Sequence, residues 1–332
     1  MAQSAPGRHY REGLSLVELL RRFPDDATAE AWFVSVRWPD GVRCPRCGSE
    51  DVQERPTRRP QPYRCRACRR DFSVKTDTLM HSSPLGLQTW ALAIFLCSTH
   101  LKGVASMKLH RDLGVTQKTA WHLAHRIRET WAGGAEPFTR AAEVDETYVG
   151  GKRKNMPAHK RREMTGRGPV GKAVVAGAVE RETGRVQAAV VEDTTGPTLR
   201  RFVRERVEPG AALFTDEAHA YRGMPEYAHE AVCHSVGEYV RGMAHTNGIE
   251  SFWAELKRGY TGVFHKMSPK HPDRYVREFA GRRNLRTRDT LDAMRAMAGG
   301  LPGRRLRYRD LIAQNGLPSG ARAAVGGESG TI

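Results

Sequence analysis

The amino-acid sequence predicts an α/β fold, in which a sheet domain follows a small cysteine-bearing segment and a helical segment. Between residues 141 and 242, short β-branched and alanine runs alternate with glycine and charged turns, which is typical of strands joined by tight connections. Residues 84–131 carry apolar positions at helical spacing instead. Residues 41–74 are rich in arginine and proline and hold two CxxC pairs. Strands flanked by helices are typical of layered α/β domains.

The chain is long and strongly basic. It has 332 residues, with 54 Lys and Arg against 37 Asp and Glu, and a formal net charge of +17. Such a charge most often serves nucleic acid, because binding to phosphates releases their counterions. A basic enzyme from an arginine-rich proteome is the alternative. No apolar run approaches the ~18 residues of a membrane span, and the first ten residues lack a signal-peptide core. We therefore expect a cytoplasmic protein.

Helical and low-complexity patterns divide the chain into segments. Apolar residues recur at helical spacing up to Phe23, Pro24 interrupts them, and the stretch from Ala29 to Val36 resumes them. Residues 319–332 are rich in small residues and are predicted to be disordered. The predicted segments are a helical segment 1–40, a cysteine ribbon 41–76, a helix-turn-helix-like segment 84–131, an α/β domain 140–297 and a basic, partly disordered tail 298–332.

Four of the six cysteines form the two CxxC pairs, which are Cys44 with Cys47 and Cys65 with Cys68. Each pair presents two thiolates on one tight turn, and two such turns supply the four sulfurs of a closed tetrahedral zinc site. A redox dithiol is the first alternative, which the missing βαβ pattern opposes. Two disulfides are the second, which the expected reducing compartment opposes. The sequence therefore predicts a zinc ribbon with structural Zn²⁺.

A helix-turn-helix is predicted between Val104 and Arg128. Gly114 provides the turn, and Thr116 is a good N-cap for the second helix. Gln117 and Lys118 would then face outward with Thr119 and His122, where they could contact DNA in a major groove. The alternative is an ordinary helical hairpin that only supports the next domain.

The central region predicts strands in a definite order. Gly150 and Gly151 end the first, and a turn that closes at Gly184 joins the next two as a hairpin. The predicted elements are strands at 142–149, 172–179 and 185–191, a helix at 198–207 and a strand at 211–215. We expect the first three strands to be antiparallel, with the fourth strand and further helices completing an α/β arrangement.

Two aspartates mark this region. Asp145 lies within the first predicted strand, and Asp216 directly follows the fourth. If these strands are neighbours, both carboxylates emerge near one end of the sheet. With a third acid they would form an oxygen-only site that suits Mg²⁺ or Mn²⁺. A single aspartate at a strand end is more often a turn or helix cap.

The third acid is harder to choose. Glu250 and Lys257 lie two turns apart on one face of a helix that opens near residue 246, where they could hold a metal and a phosphate together. Asn247 with Glu250 also fits a capping box, which alone would explain both residues. Glu255 and Glu146 are the competing third acids. Phe252, Trp253 and Leu256 are expected to pack the remaining face.

Taken together, these motifs resemble a known family. The matching stretches are CPRC and CRAC at 44–68, VDETYVGGKRKN at 144–155, FTDEAHAY at 214–221 and HTNGIESFWAELKRGYTGVFHKMS at 245–268. From about residue 29 to residue 287 the chain resembles the DDE-type bacterial insertion-sequence transposases of the zinc-ribbon, ISXO-type group. The last stretch is the most specific of the four.

The resemblance implies an RNase H-like fold and a metal-binding triad. The triad carries over to Asp145, Asp216 and Glu250, which would hold catalytic Mg²⁺ or Mn²⁺, with Lys257 as the basic residue that follows the acid. The resemblance also implies metal-dependent cleavage at the ends of an element and transfer of the freed 3′-hydroxyl into target DNA. Bringing two ends together implies at least a dimer on DNA, acting at the bacterial nucleoid.

Several basic residues acquire candidate DNA-binding roles from this resemblance. The segment 152–172 is predicted to be a flexible loop that grips DNA with Lys152, Arg153 and Lys154, and a solvated insertion is its alternative. Arg258, His265 and Lys266 follow the third acid and could bind the strand being cut.

Two other functions remain open on the sequence. A non-catalytic, domesticated DNA-binding protein would keep the zinc ribbon and the helix-turn-helix without needing the acids. A structure-specific nuclease would cleave DNA without joining strands.

Overall fold

The structure is a computed structural model that describes residues 12–133, 136–151, 153–163, 170–216, 219–232 and 246–313. Within these ranges the helices are α1 (Leu16–Arg22), α2 (Asp26–Arg37), α3 (Leu87–Thr99), α4 (Ser106–Leu113), α5 (Gln117–Arg128), α6 (Ala158–Glu163), α7 (Gly196–Arg204), α8 (Asn247–Gly259), α9 (Pro272–Leu285), α10 (Thr290–Gly299) and α11 (Tyr308–Ile312). The strands are β1 (Val52–Glu54), β2 (Tyr63–Cys65), β3 (Asp71–Phe72), β4 (Ala142–Val149), β5 (Ala173–Glu180), β6 (Val186–Val191), β7 (Ala212–Asp216) and β8 (Ala228–Val232).

The N-terminal helices share one apolar core with the helical hairpin and the last helices. Trp90 and Ile94 of α3 are fully buried in it, together with Leu19 of α1, Phe33 of α2 and Met294 of α10. The α1 helix begins with a capping box in which Ser15 and Glu18 each accept the other's backbone N–H. The last described helices therefore return to pack against the first ones, although about 160 residues separate α5 from α10.

The cysteine segment folds as a three-stranded antiparallel sheet in the order β1-β2-β3. Its apolar contents are few. Trp38, Tyr63 and Phe72 form an aromatic cluster beside buried Cys44 and Cys65. Three strands of two or three residues bury little surface. The stability of this ribbon therefore depends on a link between its four cysteine sulfurs.

The hairpin of α4 and α5 forms as its sequence predicts. Gly114 ends α4 with a positive φ of 62°, a conformation that glycine adopts without the steric cost of a Cβ. Thr116 caps α5 by accepting the backbone N–H of Thr119 at 3.2 Å. Leu109 of α4 packs into the helical core with Leu123 of α5.

The second sheet has the order β6-β5-β4-β7-β8. The antiparallel arrangement of the first three strands is confirmed, with β5 between β4 and β6. The strand β7 runs parallel to β4, and β8 runs parallel to β7. The sequence reasoning missed β8, because its residues, Ala-His-Glu-Ala-Val, show no apolar alternation.

Helices cover both faces of this sheet. Leu199, Phe202 and Val203 of α7 pack on one face. Ile249 and Phe252 of α8 pack on the other face with α9. Side chains alternate along a strand, so β4 sends Ala142 and Val144 toward α7 and sends Glu143 and Asp145 toward α8.

One sequence prediction is corrected in the connections. The segment 152–172 is not wholly a loop, because Arg153–Asn155 form a 3₁₀ turn and α6 follows at Ala158–Glu163. Lys152 and residues 164–169 lie outside the described residues. The predicted tail is packed as far as α11, where Leu311 is fully buried in the helical core. The predicted disorder of 319–332 and the strand-like run at Cys233 lie outside the described residues.

A buried polar junction joins α5 to α9. Arg128 donates from Nε to Glu278 at 2.6 Å, and both side chains are almost completely buried. Beside them, the His125 and His271 rings lie 4.8 Å apart. His125 is fully buried, and neither of its ring nitrogens has a hydrogen-bond partner in the described part of the chain. Protonating these imidazoles without compensation would therefore be costly.

This junction predicts a loss of stability in acid. Burial, and then the charges of Arg128, His271 and Arg274, hold the pKa of His125 well below its ordinary value. Burial, Arg274 and Lys270 lower the pKa of His271 to about 4. The unfolded chain therefore binds more protons below pH ~6.5, and the free energy of unfolding should fall as the pH drops from there toward 4.

The measurement is urea unfolding of wild type and of His125→Phe between pH 7.5 and 4.5. Wild type should lose up to about 1.4 kcal/mol per pH unit more than the variant in the acid range. Parallel pH curves for the two proteins would contradict the assignment to His125.

Candidate active site

Asp145 and Asp216 lie side by side on neighbouring parallel strands. The register pairs Val144 of β4 with Thr215 of β7, and the two aspartates are the next residue along each strand. Leu213 of β7 faces the α7 core, so alternation turns Asp216 to the opposite face. That face also receives Asp145. The predicted meeting of the two carboxylates at one end of the sheet is therefore found.

The Asp145 carboxylate is held at both oxygens. The Trp253 indole Nε1–H donates to Oδ2 at 2.8 Å, and the backbone N–H of Glu146 donates to Oδ1 at 2.8 Å. Burial raises the pKa of Asp145 to about 7, while the Trp253 hydrogen bond opposes the shift and the charge of Asp216 adds to it. A cation between the two aspartates would relieve this repulsion.

Glu146 lies on the other face of the sheet. Its Oε2 accepts a hydrogen bond from the hydroxyl of fully buried Tyr221 at 2.7 Å. Burial raises the pKa of Glu146, with Asp216 contributing. The Glu146 carboxylate therefore interacts with the charge of Asp216 from the α7 side of the sheet. It does not lie on the α8 face, where a third metal ligand would be needed.

Glu250 lies in the first turn of α8, one helical turn before Trp253. It is exposed and accepts a hydrogen bond from the Thr246 hydroxyl at 3.2 Å. Lys257 is exposed two turns further along. The competing acid, Glu255, lies 3.7 Å from the Arg283 guanidinium on α9, away from the aspartates.

The capping box suggested by Asn247 and Glu250 is not formed. Asn247 is already within the helix, and Thr246 occupies the N-cap without a side-chain cap. The buried carboxylate of Glu143 does the capping, because its Oε2 accepts the backbone N–H groups of Gly248 at 2.8 Å and Ile249 at 3.1 Å.

Arg181 completes this anchor between strand and helix. Its Nε lies 3.1 Å from Glu143 Oε1, and its guanidinium stacks 3.6 Å from the centre of the Phe214 ring. A strand residue two positions before Asp145 therefore fixes the start of the helix that carries Glu250.

The three carboxylates of the predicted triad do not form a closed cluster. Among the described residues, only the cysteines form a group of three or more metal-binding side chains with all ligand atoms within 4.8 Å of one another. Asp145 and Asp216 lie on adjacent strands, and Glu250 lies on the helix packed on the face that Asp145 and Asp216 share. Two aspartates and a glutamate offer hard oxygen donors, which fit Mg²⁺ or Mn²⁺.

The four cysteines have the spacing of a tetrahedral site. Sγ atoms lie 3.7 Å apart in Cys44 and Cys68 and 3.6 Å apart in Cys47 and Cys65. Zinc–sulfur bonds of about 2.3 Å place tetrahedral sulfurs about 3.8 Å apart. The backbone N–H of Cys68 also donates to the Cys65 sulfur and lowers the pKa of that thiol, which favours the thiolate.

Two family models match the chain. Residues 140–284 match the ISXO2-like transposase domain, and residues 24–71 match the transposase zinc-ribbon domain. The chain therefore carries an ISXO2-like transposase domain and a transposase zinc ribbon. The resemblance read from the four motifs is thereby confirmed, and the matched transposase domain contains both aspartates and Glu250.

Two similar proteins point the same way. An uncharacterized protein in transposable element ISH50 of Halobacterium salinarum is 27% identical over 290 residues, covering 84% of this chain and 97% of its own length. An uncharacterized transposase-like protein of Haemophilus influenzae is 28% identical over 102 residues, covering 30% of this chain and 81% of its own.

The predicted DNA-binding residues lie in two places. At the start of α5, Gln117 and Lys118 are exposed, but His122 is not turned outward as predicted. Its Nε2 lies 3.0 Å from the Leu306 carbonyl, so the segment before α11 covers this part of the helix. Tyr308 also receives the Lys118 ammonium 4.5 Å from its ring centre.

The other candidates follow β4 and the third acid along the chain. Arg153 and Lys154 are exposed in the turn that follows β4. Arg258 is exposed in the last turn of α8, and a π-helical turn, Tyr260–Phe264, leads from there to exposed His265 and Lys266. His265 has a positive φ of 55°. Predicted Lys152 lies outside the described residues.

No helix of the described chain is long and apolar enough to cross a membrane.

Proposed function

We propose that the chain is an active DDE transposase that cleaves DNA at the ends of its element and joins the freed 3′-hydroxyl ends to target DNA. The observation that carries the proposal is the in-register pair of Asp145 and Asp216, facing the helix that holds Glu250. The sheet order, with three antiparallel strands followed by two parallel ones, supports an RNase H-like catalytic domain.

Each residue has a stated role in this proposal. Asp145 and Asp216 bind Mg²⁺ or Mn²⁺, and Glu250 closes the site from α8. Cations held there would supply activation of water or a 3′-hydroxyl and stabilisation of the leaving oxygen at a phosphodiester. Lys257 binds a phosphate beside Glu250, and Arg258, His265 and Lys266 hold the strand. Because Asp145 and Asp216 follow paired residues on adjacent strands, both carboxylates would contribute to binding cations at one phosphate.

The other domains of the transposase would choose the DNA. The ribbon, with Zn²⁺ bound by its cysteines, and the exposed start of α5 with Gln117 and Lys118 would bind the terminal inverted repeats. Arg153 and Lys154 would contact DNA close to the aspartates. Pairing two ends requires at least a homodimer on DNA, which would act at the bacterial nucleoid.

The test is a cleavage and strand-transfer assay with purified full-length protein, Mg²⁺ or Mn²⁺, and DNA carrying the ends that flank the gene. Asp216→Asn should reduce both products by at least about 10³-fold, because the amide is a weak metal ligand. The matched control is Asp292→Asn on α10, which removes the same charge from an exposed aspartate far from the site.

The outcomes separate the competing functions. Joined products that disappear only in Asp216→Asn establish the transposase. Cleavage without joining by wild type would favour a nuclease, and DNA binding without any product would favour a non-catalytic DNA-binding protein.

A further inference from the structure

Trp253 makes a contact that packing alone does not require. It belongs to the apolar face of α8 and is only 4% exposed. Its Nε1–H nevertheless points at the sheet and donates to Asp145 Oδ2. Other indoles show that a buried N–H need not be satisfied here, since those of Trp32 and Trp131 have no hydrogen-bond partner in the described ranges.

The strand β5 leaves room for the Trp253 ring on the sheet. Gly177 of β5 lies opposite Asp145 in the sheet register. A Cβ at this glycine would come within 2.6 Å of Trp253 Cη2 and 2.9 Å of Ile249 Cδ1. A glycine is therefore required at this position, because the absence of a side chain lets the Trp253 indole come close enough to β5 to reach the Asp145 carboxylate.

Two hydrogen-bonded anchors then fix α8 relative to β4. Glu143 holds the first backbone N–H groups of the helix, and Asp145 holds Trp253 one turn later. Glu250 lies between these anchors on the helix. The position of Glu250 relative to β4 is thus set by contacts to two residues of that strand.

The same contacts leave the Asp145 carboxylate ready for a cation. Among the described residues, each oxygen accepts one hydrogen bond, from Trp253 at Oδ2 and from the Glu146 backbone at Oδ1. A carboxylate oxygen has two lone pairs, so each keeps one for a metal. The plane of the carboxylate is fixed before any cation arrives.

We infer that Trp253 is a positioning residue, which holds Asp145 and Glu250 in the geometry that binds the catalytic cation. The inference rests on the proposed function. Residues that orient metal ligands through hydrogen bonds typically contribute about 10–100-fold in metal affinity or activity.

The first experiment observes the contact directly. The full chain has six tryptophans, so ¹⁵N labelling gives six indole N–H signals, which single Trp→Phe variants assign. During a Mg²⁺ titration without DNA, the Trp253 signal should shift, and the shift should vanish in Asp145→Asn. The Trp131 signal should stay in place. A Trp253 signal that ignores Mg²⁺ overturns the inference.

The second experiment measures the consequence. Trp253→Phe keeps an aromatic ring and removes the donor, and it should raise the Mg²⁺ concentration for half-maximal cleavage by at least about tenfold. The matched control, Trp131→Phe, removes an indole N–H that has no partner and should change this concentration less than twofold. Gly177→Ala should displace the ring and act in the same direction as Trp253→Phe.

Folding and function are separated by the remaining arms. Circular dichroism and thermal unfolding identify a variant that fails to fold, and the labelled wild type still decides the inference in that case. If wild type cleaves DNA and Trp253→Phe matches Trp131→Phe, the inference fails while the proposed function stands. If wild type neither cleaves DNA nor responds to Mg²⁺, the proposed function fails and the inference fails with it.

Discussion

Cys65→Ser is expected to unfold the ribbon, residues 41–76, while the rest of the chain stays folded. The ribbon has strands of two or three residues and an apolar cluster centred on Phe72, which cannot offset the entropy of ordering this length of chain. Structural zinc in such small domains supplies about 10–16 kcal/mol of folding free energy. Chelation should therefore act like the substitution.

The measurements are zinc content per chain and the near-ultraviolet circular dichroism of Trp38 and Tyr63, whose rings lie 5.9 Å apart. Wild type should hold one zinc, and Cys65→Ser should hold none and lose the aromatic signal. The matched control is Cys97→Ala, a buried cysteine of α3 outside the cluster, which should keep its zinc. Wild type that folds fully without metal would contradict the prediction.

The sequence predicts those features whose causes are local. Gly114 and Thr116 define a turn and a cap within a few residues, and both form as expected. The two CxxC pairs also come together as predicted, with all four sulfurs within 4.8 Å of one another. The apolar pattern also places Asp145 and Asp216 on two strands, and the structure supplies the condition that these strands are neighbours.

The features that were missed depend on contacts between distant segments. Glu143 looks like an ordinary strand acid, yet it caps a helix about 105 residues later. In the sequence Trp253 looks like an ordinary core residue, and only the structure shows that its indole N–H donates to Asp145. His122 fits the outward face of α5, but the Leu306 carbonyl covers it. No local pattern records which strand end or returning segment a side chain will meet.

One signal could have identified Glu143 and Trp253. Glu143 falls two residues before Asp145, so alternation places both on the face that must receive α8. A buried acid on that face needs donors, and the start of a helix offers unsatisfied N–H groups. The pairing of this acid with that helix nevertheless follows only once their packing is known.

The second large effect is expected at Glu278, between the helical hairpin and the sheet domain. Its carboxylate lies 2.6 Å from Arg128 Nε and 3.5 Å from Arg282, with all three side chains almost fully buried. Arg128 also lies over the Tyr275 ring at 4.1 Å. Glu278→Gln should lower the free energy of unfolding by about 3–5 kcal/mol, because it leaves two buried guanidinium groups without their counter-charge.

Urea unfolding measures this loss, and the chain offers a close control. Glu226 accepts from Arg204 Nε at 2.7 Å in an exposed pair. Glu226→Gln should therefore cost no more than about 1 kcal/mol. Equal losses in the two variants would show that burial does not govern the Glu278 pair.

The location of this pair gives its loss a functional consequence. Arg128 ends α5, whose first turn carries Gln117 and Lys118, and Glu278 belongs to α9, which packs with α8 on the sheet. The ion pair therefore ties the predicted DNA-binding helix to the layer that holds Glu250. In Glu278→Gln, DNA cleavage should fall more steeply with rising temperature than DNA binding by the hairpin does. The hairpin keeps its own cap and turn, so it can still bind DNA. Its attachment to the sheet domain is weakened, and cleavage is expected to depend on that attachment.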